Sequence, residues 1–229
     1  MSGKVAPYIV QNGLIFYLDA ANKASYDGVG NEWKDLSPNR INGIITGATF
    51  DTTDGISSFA FNGSSDYISG VDTAGILDIS ARGQSTTIEV GTLPTINTAG
   101  FLFLYGPTYP NSSYGVINTG YLPYPLIAAY TGSVGNTSIG YSTDSWNCIS
   151  MCFNGSSAER QGYYNGQLAN FSLLQGLIRS TGNNNWYVGA NPVASSYFDG
   201  RISYVRIYNR VLSAAEILQN YNALKHRFN

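Results

Sequence analysis

The chain has 229 residues, of which only 26 are charged: 12 Lys and Arg against 14 Asp and Glu, for a net charge of −2. That is far below the ~25% charged residues of an ordinary soluble domain, and it leaves no basic surface to drive nucleic-acid binding. Polarity comes instead from Gly, Ser, Thr, Asn and 18 Tyr, a composition suited to one β domain of this length.

Residues 1–12 read as a short N-terminal arm, with no apolar core of a signal peptide. From residue 13 onward the chain reads as one domain. Short β-type runs follow in order: Leu14–Leu18, Ser58–Asn62, Tyr67–Ser69, Thr86–Val90, Phe101–Tyr105, Leu126–Tyr130, Trp146–Phe153, Trp186–Gly189 and Ile202–Tyr208. Asn-Gly pairs at 12, 42, 62, 154 and 165 and Asp-Gly pairs at 27, 54 and 199 punctuate them, supplying the φ > 0 positions that tight turns need. Gly162–Leu168, with Asn165-Gly166 at its centre, predicts a two-residue hairpin. In the last run, alternation puts Ser203, Val205 and Ile207 on one face and Ile202, Tyr204, Arg206 and Tyr208 on the other. Ser213-Ala-Ala-Glu216 predicts a capped helix start. Ile217, Leu218, Tyr221 and Leu224 then form one apolar stripe that should pack on the sheets, with Lys225, His226 and Arg227 at the helix's negative end. The fold class expected is all-β: a two-sheet antiparallel jelly-roll sandwich with one short C-terminal α-helix.

Several chemistries have little to build on. Glu occurs only at 32, 89, 159 and 216, and Glu89 stands alone on its strand, so the paired carboxylates of a glycoside hydrolase are missing. A single histidine, His226, leaves no Ser-His-Asp set. We therefore expect no catalytic residues and no enzyme. Cys148 and Cys152 are four apart on a predicted strand, about 13 Å, too far for a disulfide that tolerates about 7 Å; both read as small buried hydrophobes. The sequons at Asn62, Asn111, Asn136, Asn154 and Asn170 read as by-products of Asn- and Ser-rich turns. No stretch approaches the ~18 apolar residues needed to span a bilayer, so membrane insertion is not expected.

Six segments, in order, resemble a known pattern. They are Asn12–Ala20 with Ser25–Gly28 and Trp33–Gly43; Phe61-Asn-Gly-Ser-Ser-Asp-Tyr-Ile68; Thr86–Val90; Trp146–Leu168; Trp186–Ala190; and Phe198–Ile217. Together they are similar to concanavalin A-like lectin/glucanase modules of the laminin-G and pentraxin type. Gly91 departs from the pattern, standing where such modules often carry Trp, and segment 92–145 matches none of it. The opening segment also resembles virion proteins of tailed bacteriophages. The resemblance thus implies a non-enzymatic structural or binding protein of a virion, assembled in the host cytoplasm: a head decoration, tail-fibre or baseplate part. Its partners would be other virion proteins or copies of itself, and surface glycan. The alternative is a stand-alone carbohydrate-binding or adhesion module. No cofactor is required on this reading, though relatives often bind calcium, and Asp35, Asp66 and Asp199 occupy turn positions that could offer oxygen ligands. Trp33, Trp146 and Trp186 read as core. The aromatic-rich unmatched region supplies the candidate contacts to glycan or partner: Tyr105, Tyr109, Tyr114, Tyr121, Tyr124 and Tyr130, since phenol rings stack on sugars and give broad contact at low entropy cost.

Overall fold

The computed structural model describes residues 8–78, 85–95, 99–106, 113–120, 126–130, 134–143, 145–155, 159–173 and 184–228. Two antiparallel sheets lie face to face. In spatial order the first runs β14 (Gln167–Leu173), β13 (Glu159–Tyr164), β12 (Asn147–Phe153), β7 (Thr86–Pro94), β18 (Asp199–Tyr208), β5 (Ser58–Asn62) and β4 (Thr49–Asp51), with β1 (Leu14–Asp19) pairing on β18. The second runs β11 (Val134–Gly140), β10 (Leu126–Tyr130), β9 (Tyr114–Asn118), β8 (Gly100–Tyr105), β15 (Asn185–Val188), β6 (Tyr67–Val71), β3 (Gly43–Thr46) and β2 (Glu32–Trp33). A small ribbon, β16 (Ala190–Asn191) with β17 (Ser196–Tyr197), one α-helix, α1 (Ala214–Leu224), and two short 3-10 turns (Pro192–Ala194 and Lys225–Arg227) complete the described elements. The expected sandwich with a C-terminal helix is what the chain forms.

Period-two alternation sends one set of side chains inward from each sheet. Phe16, Leu18, Ile88, Val90, Ile149 and Met151 from the first meet Trp33, Ile68, Phe103, Trp186 and Val188 from the second. Trp186 is the centre of this layer, with its ring edge-on to Phe16 at 5.0 Å. Its bulk fits because Gly43 and Gly70 stand beside it; a Cβ at either would come within 2.6 Å of the indole.

Two local readings change in the structure, and one departure from the family pattern finds its reason. Ser203 is the extra residue of a β-bulge, so the register on β7 jumps from Ile202↔Thr92 to Tyr204↔Gly91. Ile202 therefore joins Val205 and Ile207 in the core, while Tyr204, Arg206 and Tyr208 face outward; strict alternation misplaced Ile202. The helix starts with the expected box, Ser213 accepting from the Glu216 amide. Its buried stripe, however, is Ile217, Asn220, Ala223 and Leu224, whereas Leu218 is exposed and Tyr221 half-buried. Polar Asn220 belongs to that stripe because the sheet beneath it is polar. Gly91 is explained by the same surface: a Cβ there would run into the ring of Tyr204, which covers the position.

Residues 8–12 pack on the helix. The Val10 amide donates to Asn220 Oδ1 at 2.7 Å, the Tyr208 hydroxyl donates to the Val10 carbonyl at 3.0 Å, and Gln219 donates to the Tyr8 carbonyl. The hairpin at Asn165-Gly166 is present, with φ of 49° and 79° as a type I′ turn requires.

Candidate functional site

The sandwich has two outer faces, and they differ in kind. On the first sheet, Tyr17, Asp19, Glu89, Ser150, Tyr204, Arg206 and Tyr208 project outward and α1 lies over them. Arg206 and Glu89, 1% and 2% exposed, form an ion pair at 3.2 Å. Ser150 donates to Glu89 at 3.1 Å and Asn220 of the helix donates to it at 2.9 Å. The Arg206 guanidinium also lies 4.5 Å from the Tyr204 ring centre, a cation–π contact that partly replaces the partners its Nε and Nη1 lack. Burial pushes the Glu89 carboxyl above its usual range, against the opposing pull of Arg206, Ser150 and Asn220. At the other end, buried Asp19 accepts from Tyr17 at 2.6 Å and from Arg227 at 2.8 and 2.9 Å. The acid on the central strand is thus committed to an arginine and roofed by a helix.

The second sheet presents an open strip. Cross-strand register places Glu32, Ile44, Thr46, Tyr67, Ser69, Val71, Asn185 and Tyr187 on its outer side. Ile44 is 46% and Val71 57% exposed. Tyr67 and Tyr187, both half-buried, meet edge to face with ring centres 5.9 Å apart. Neither phenol hydroxyl has a hydrogen-bond partner among the described residues. Burial, then the neighbouring Tyr67, raises the Tyr187 phenol above its usual range, so it stays neutral and able to donate. Glu32 is the sole charge on the strip, and it accepts a bond from Asn42. Toward β8 the strip grades into a buried apolar cluster of Phe101, Leu104 and Ile117. The result is a nearly uncharged surface with two aromatic rings, hydroxyls and aliphatic edges, which suits a hydroxylated ligand with apolar faces.

The residues proposed from the sequence fall elsewhere. Tyr105 and Tyr114 are 0% and 1% exposed and belong to the core. The Tyr114 hydroxyl donates to the Leu77 carbonyl at 2.6 Å, and that of Tyr105 reaches Asn184 at 3.3 Å and Asp72 at 3.5 Å. Both are corrected from contact residues to packing residues, because their positions in β8 and β9 point between the sheets. Tyr109, Tyr121 and Tyr124 lie outside the described residues. Tyr130 ends β10, opposite Gly115 and Val134, and its side chain lies outside the description. Tyr67 and Tyr187 were missed although their signal was present: each alternates with core residues, Ile68 and Gly70 on β6, Trp186 and Val188 on β15.

The three aspartates do not fit a shared calcium site. Asp35 is fully buried, and its oxygens accept from the amides of Tyr17, Ser37 and Ile41 and from the Ser37 hydroxyl. Asp66 accepts from Asn62 and Ser65 inside its own turn. Asp199 pairs with Asn62 at the start of β18. Among the described residues no three His, Cys, Asp or Glu side chains gather as a metal set. Trp33 and Trp186 are core; Trp146, 7% exposed, packs on the outer side against Phe228 at 5.3 Å. Cys148 and Cys152 are buried and free, and burial pushes their thiols up to about 11 and about 12.

No helix among the described residues is long and apolar enough to cross a membrane. No curated protein sequence matches the chain. A family profile described as the concanavalin A-like lectin/glucanases superfamily matches residues 127–218. Among solved structures, a Trypanosoma rangeli sialidase with the inhibitor DANA is 14% identical, with a TM-score of 0.68 over 99% of this chain and 36% of that one. The binding domain of botulinum neurotoxin DC, solved with SialylT, is 11% identical, with a TM-score of 0.67 over 93% of this chain and 52% of that one. Botulinum neurotoxin type C, whose cell entry depends on two ganglioside molecules, is 12% identical, with a TM-score of 0.68 over 93% and 51%. The chain spans about a third to a half of the length of these proteins, and identities this low show the shared fold alone. Over residues 127–218 the chain is thus similar to the concanavalin A-like lectin/glucanases, and its sheet order is that of a two-sheet antiparallel jelly roll.

Proposed function

We propose that the chain is a non-enzymatic glycan-binding module, and that its open face, centred on Tyr67 and Tyr187, is the contact surface. The observation that carries this reading is that pair of rings, with hydroxyls unpartnered among the described residues, on a nearly neutral strip of a lectin-like fold that no described element covers. Aromatic rings stack on the apolar faces of sugars while hydroxyls exchange hydrogen bonds with theirs, so neither contact needs net charge. Neighbours of the same fold that engage SialylT or gangliosides support the ligand class. Absence of catalysis is supported by Glu89, whose carboxylate is spent on Arg206 beneath the helix.

A glycan array tests this. Specific signals that disappear in Tyr67→Ala and Tyr187→Ala, and survive a chelator, are the expected outcome. A blank array, or signals indifferent to both substitutions, contradicts it. Insensitivity to chelator follows from Asp35 and Asp66, whose oxygens are engaged in their own loops. Reducing-end release from mixed polysaccharides would overturn the non-enzymatic half.

We further propose that this module works as part of a bacteriophage virion, assembled in the host cytoplasm and contacting other virion proteins or copies of itself. The resemblance of Asn12–Ala20 to virion proteins supports this, as does the low charge, which favours broad, wet contacts. Binding to particles stripped of the protein is the expected result. A monomer that ignores such particles would instead favour a stand-alone adhesion module.

A further inference from the structure

A second concave surface lies away from the tyrosine strip, beside the C-terminal turn. Loop 54–57 and residues His226, Arg227 and Phe228 enclose about 460 Å³, with Ala21 and Ser203 completing the wall. That is within the ~300–1,000 Å³ of small-ligand clefts. We propose that this groove binds a single neutral sugar residue, at a site separate from the open face.

The charge pattern carries the argument. Asp54 is saturated by its neighbours: Arg201 donates to it at 2.7 and 3.0 Å, Trp146 Nε1 at 3.0 Å and the Ile56 amide at 3.0 Å. Arg227 spends Nη1 on buried Asp19, which cancels its charge. An incoming anion meets an arginine already paired, and a cation meets a carboxylate without a free lone pair. What remains is hydrogen-bonding capacity with no unpaired carboxylate or guanidinium behind it: the Ser57 hydroxyl and the His226 ring, unpartnered among the described residues, and the other N–H groups of the ion-paired Arg227. Donors and acceptors of that kind match a ligand whose hydroxyls do both. Phe228 adds an aromatic wall, held by stacking on Trp146 with 27° between the planes, and Arg201 lies 5.4 Å over the same indole. The walls are therefore fixed before any ligand arrives, which lowers the ordering cost of binding.

Because Phe228 lines the groove and stacks on Trp146, Trp146 fluorescence reports its occupancy. The whole chain is titrated with methyl glycosides of neutral hexoses and, separately, with sialic acid. Saturable quenching or enhancement by a neutral glycoside is expected, weakened at least about tenfold by Ser57→Leu, which fills the groove, and by His226→Ala, which removes a ring from an exposed position. Tyr67→Ala should leave this response unchanged, which separates the groove from the open face. Stronger binding of sialic acid, an unchanged response in Ser57→Leu and His226→Ala, or no response to any neutral glycoside each overturns the proposal. None of these results bears on array signals that depend on Tyr67 and Tyr187.

Discussion

The two outer faces of this sandwich are built by the same alternation and end with opposite properties. On the first sheet, outward positions carry Glu89, Arg206, Tyr204 and Asp19, and the helix buries them. On the second, outward positions carry Tyr67, Tyr187, Thr46 and Ser69, and no described element covers them. Buried charges on one side require partners and a lid, so that face acts as structure. Uncharged rings and hydroxyls on the other tolerate water and can exchange it for a ligand. Polar side chains alone do not mark a functional surface; whether their bonds are already spent does.

The sharpest way to break this contrast is at the ion pair. Glu89→Ala leaves Arg206 buried without its counter-charge and should cost about 3–5 kcal/mol, measured by chemical denaturation. A loss below about 1 kcal/mol would mean that the face is wetter than the structure makes it. Next comes a pair of tyrosine substitutions. Tyr105→Ala should cost about 3–5 kcal/mol, as large-to-small changes in a core do. Tyr67→Ala, on the open face, should cost less than about 1 kcal/mol and act on binding instead. Equal costs would erase the distinction between packing and contact tyrosines.

A smaller effect concerns the helix start. Bonds from Arg210 and then Ser213 lower the Glu216 carboxyl to about 2. A folded-state value below the ordinary 4.5 stabilises the fold above that pH, and the contribution fades as pH falls from 4.5 toward about 2. The pair is 29% exposed on each side, so solvent screening holds it to roughly 0.2–1 kcal/mol. Protection factors of the α1 amides, with the intrinsic pH dependence of exchange divided out, should fall over that acidic range and stay flat from there to neutrality. The mildest test is alkylation of Cys148 and Cys152. With thiols raised to about 11 and about 12, labelling at neutral pH should wait for the helix to lift. Rapid labelling of the native chain would show that the lid is loose.

Strands, the hairpin and the capping box were legible in the sequence because each depends on local chemistry: alternation, Asn-Gly, Ser-x-x-Glu. The bulge at Ser203 was not, since it is set by pairing between β18 and β7 and by Ser203 bonding to residues 20 and 57. Asn220 inside the helix stripe was equally hidden, because its reason lies on Glu89, 131 residues away in the chain, and on the outward-facing Tyr208. Candidate contact residues fared worst. Tyrosine density drew attention to 105–130, but density does not distinguish a ring pointing into the core at Tyr105 from one pointing out at Tyr187. That distinction needed strand phase: Trp186 and Val188 face inward, so Tyr187 between them faces out.

One measurement addresses the central claim most directly: backbone and tyrosine-ring resonances followed while the strongest glycan from the array is added. The account predicts the largest shifts in β3, β6 and β15, at Tyr67 and Tyr187 above all, with any others only at the 54–57 and 226–228 groove and with α1 and the Glu89–Arg206 pair unmoved. Shifts centred on the helix-covered face, with Tyr67 and Tyr187 silent, would contradict it.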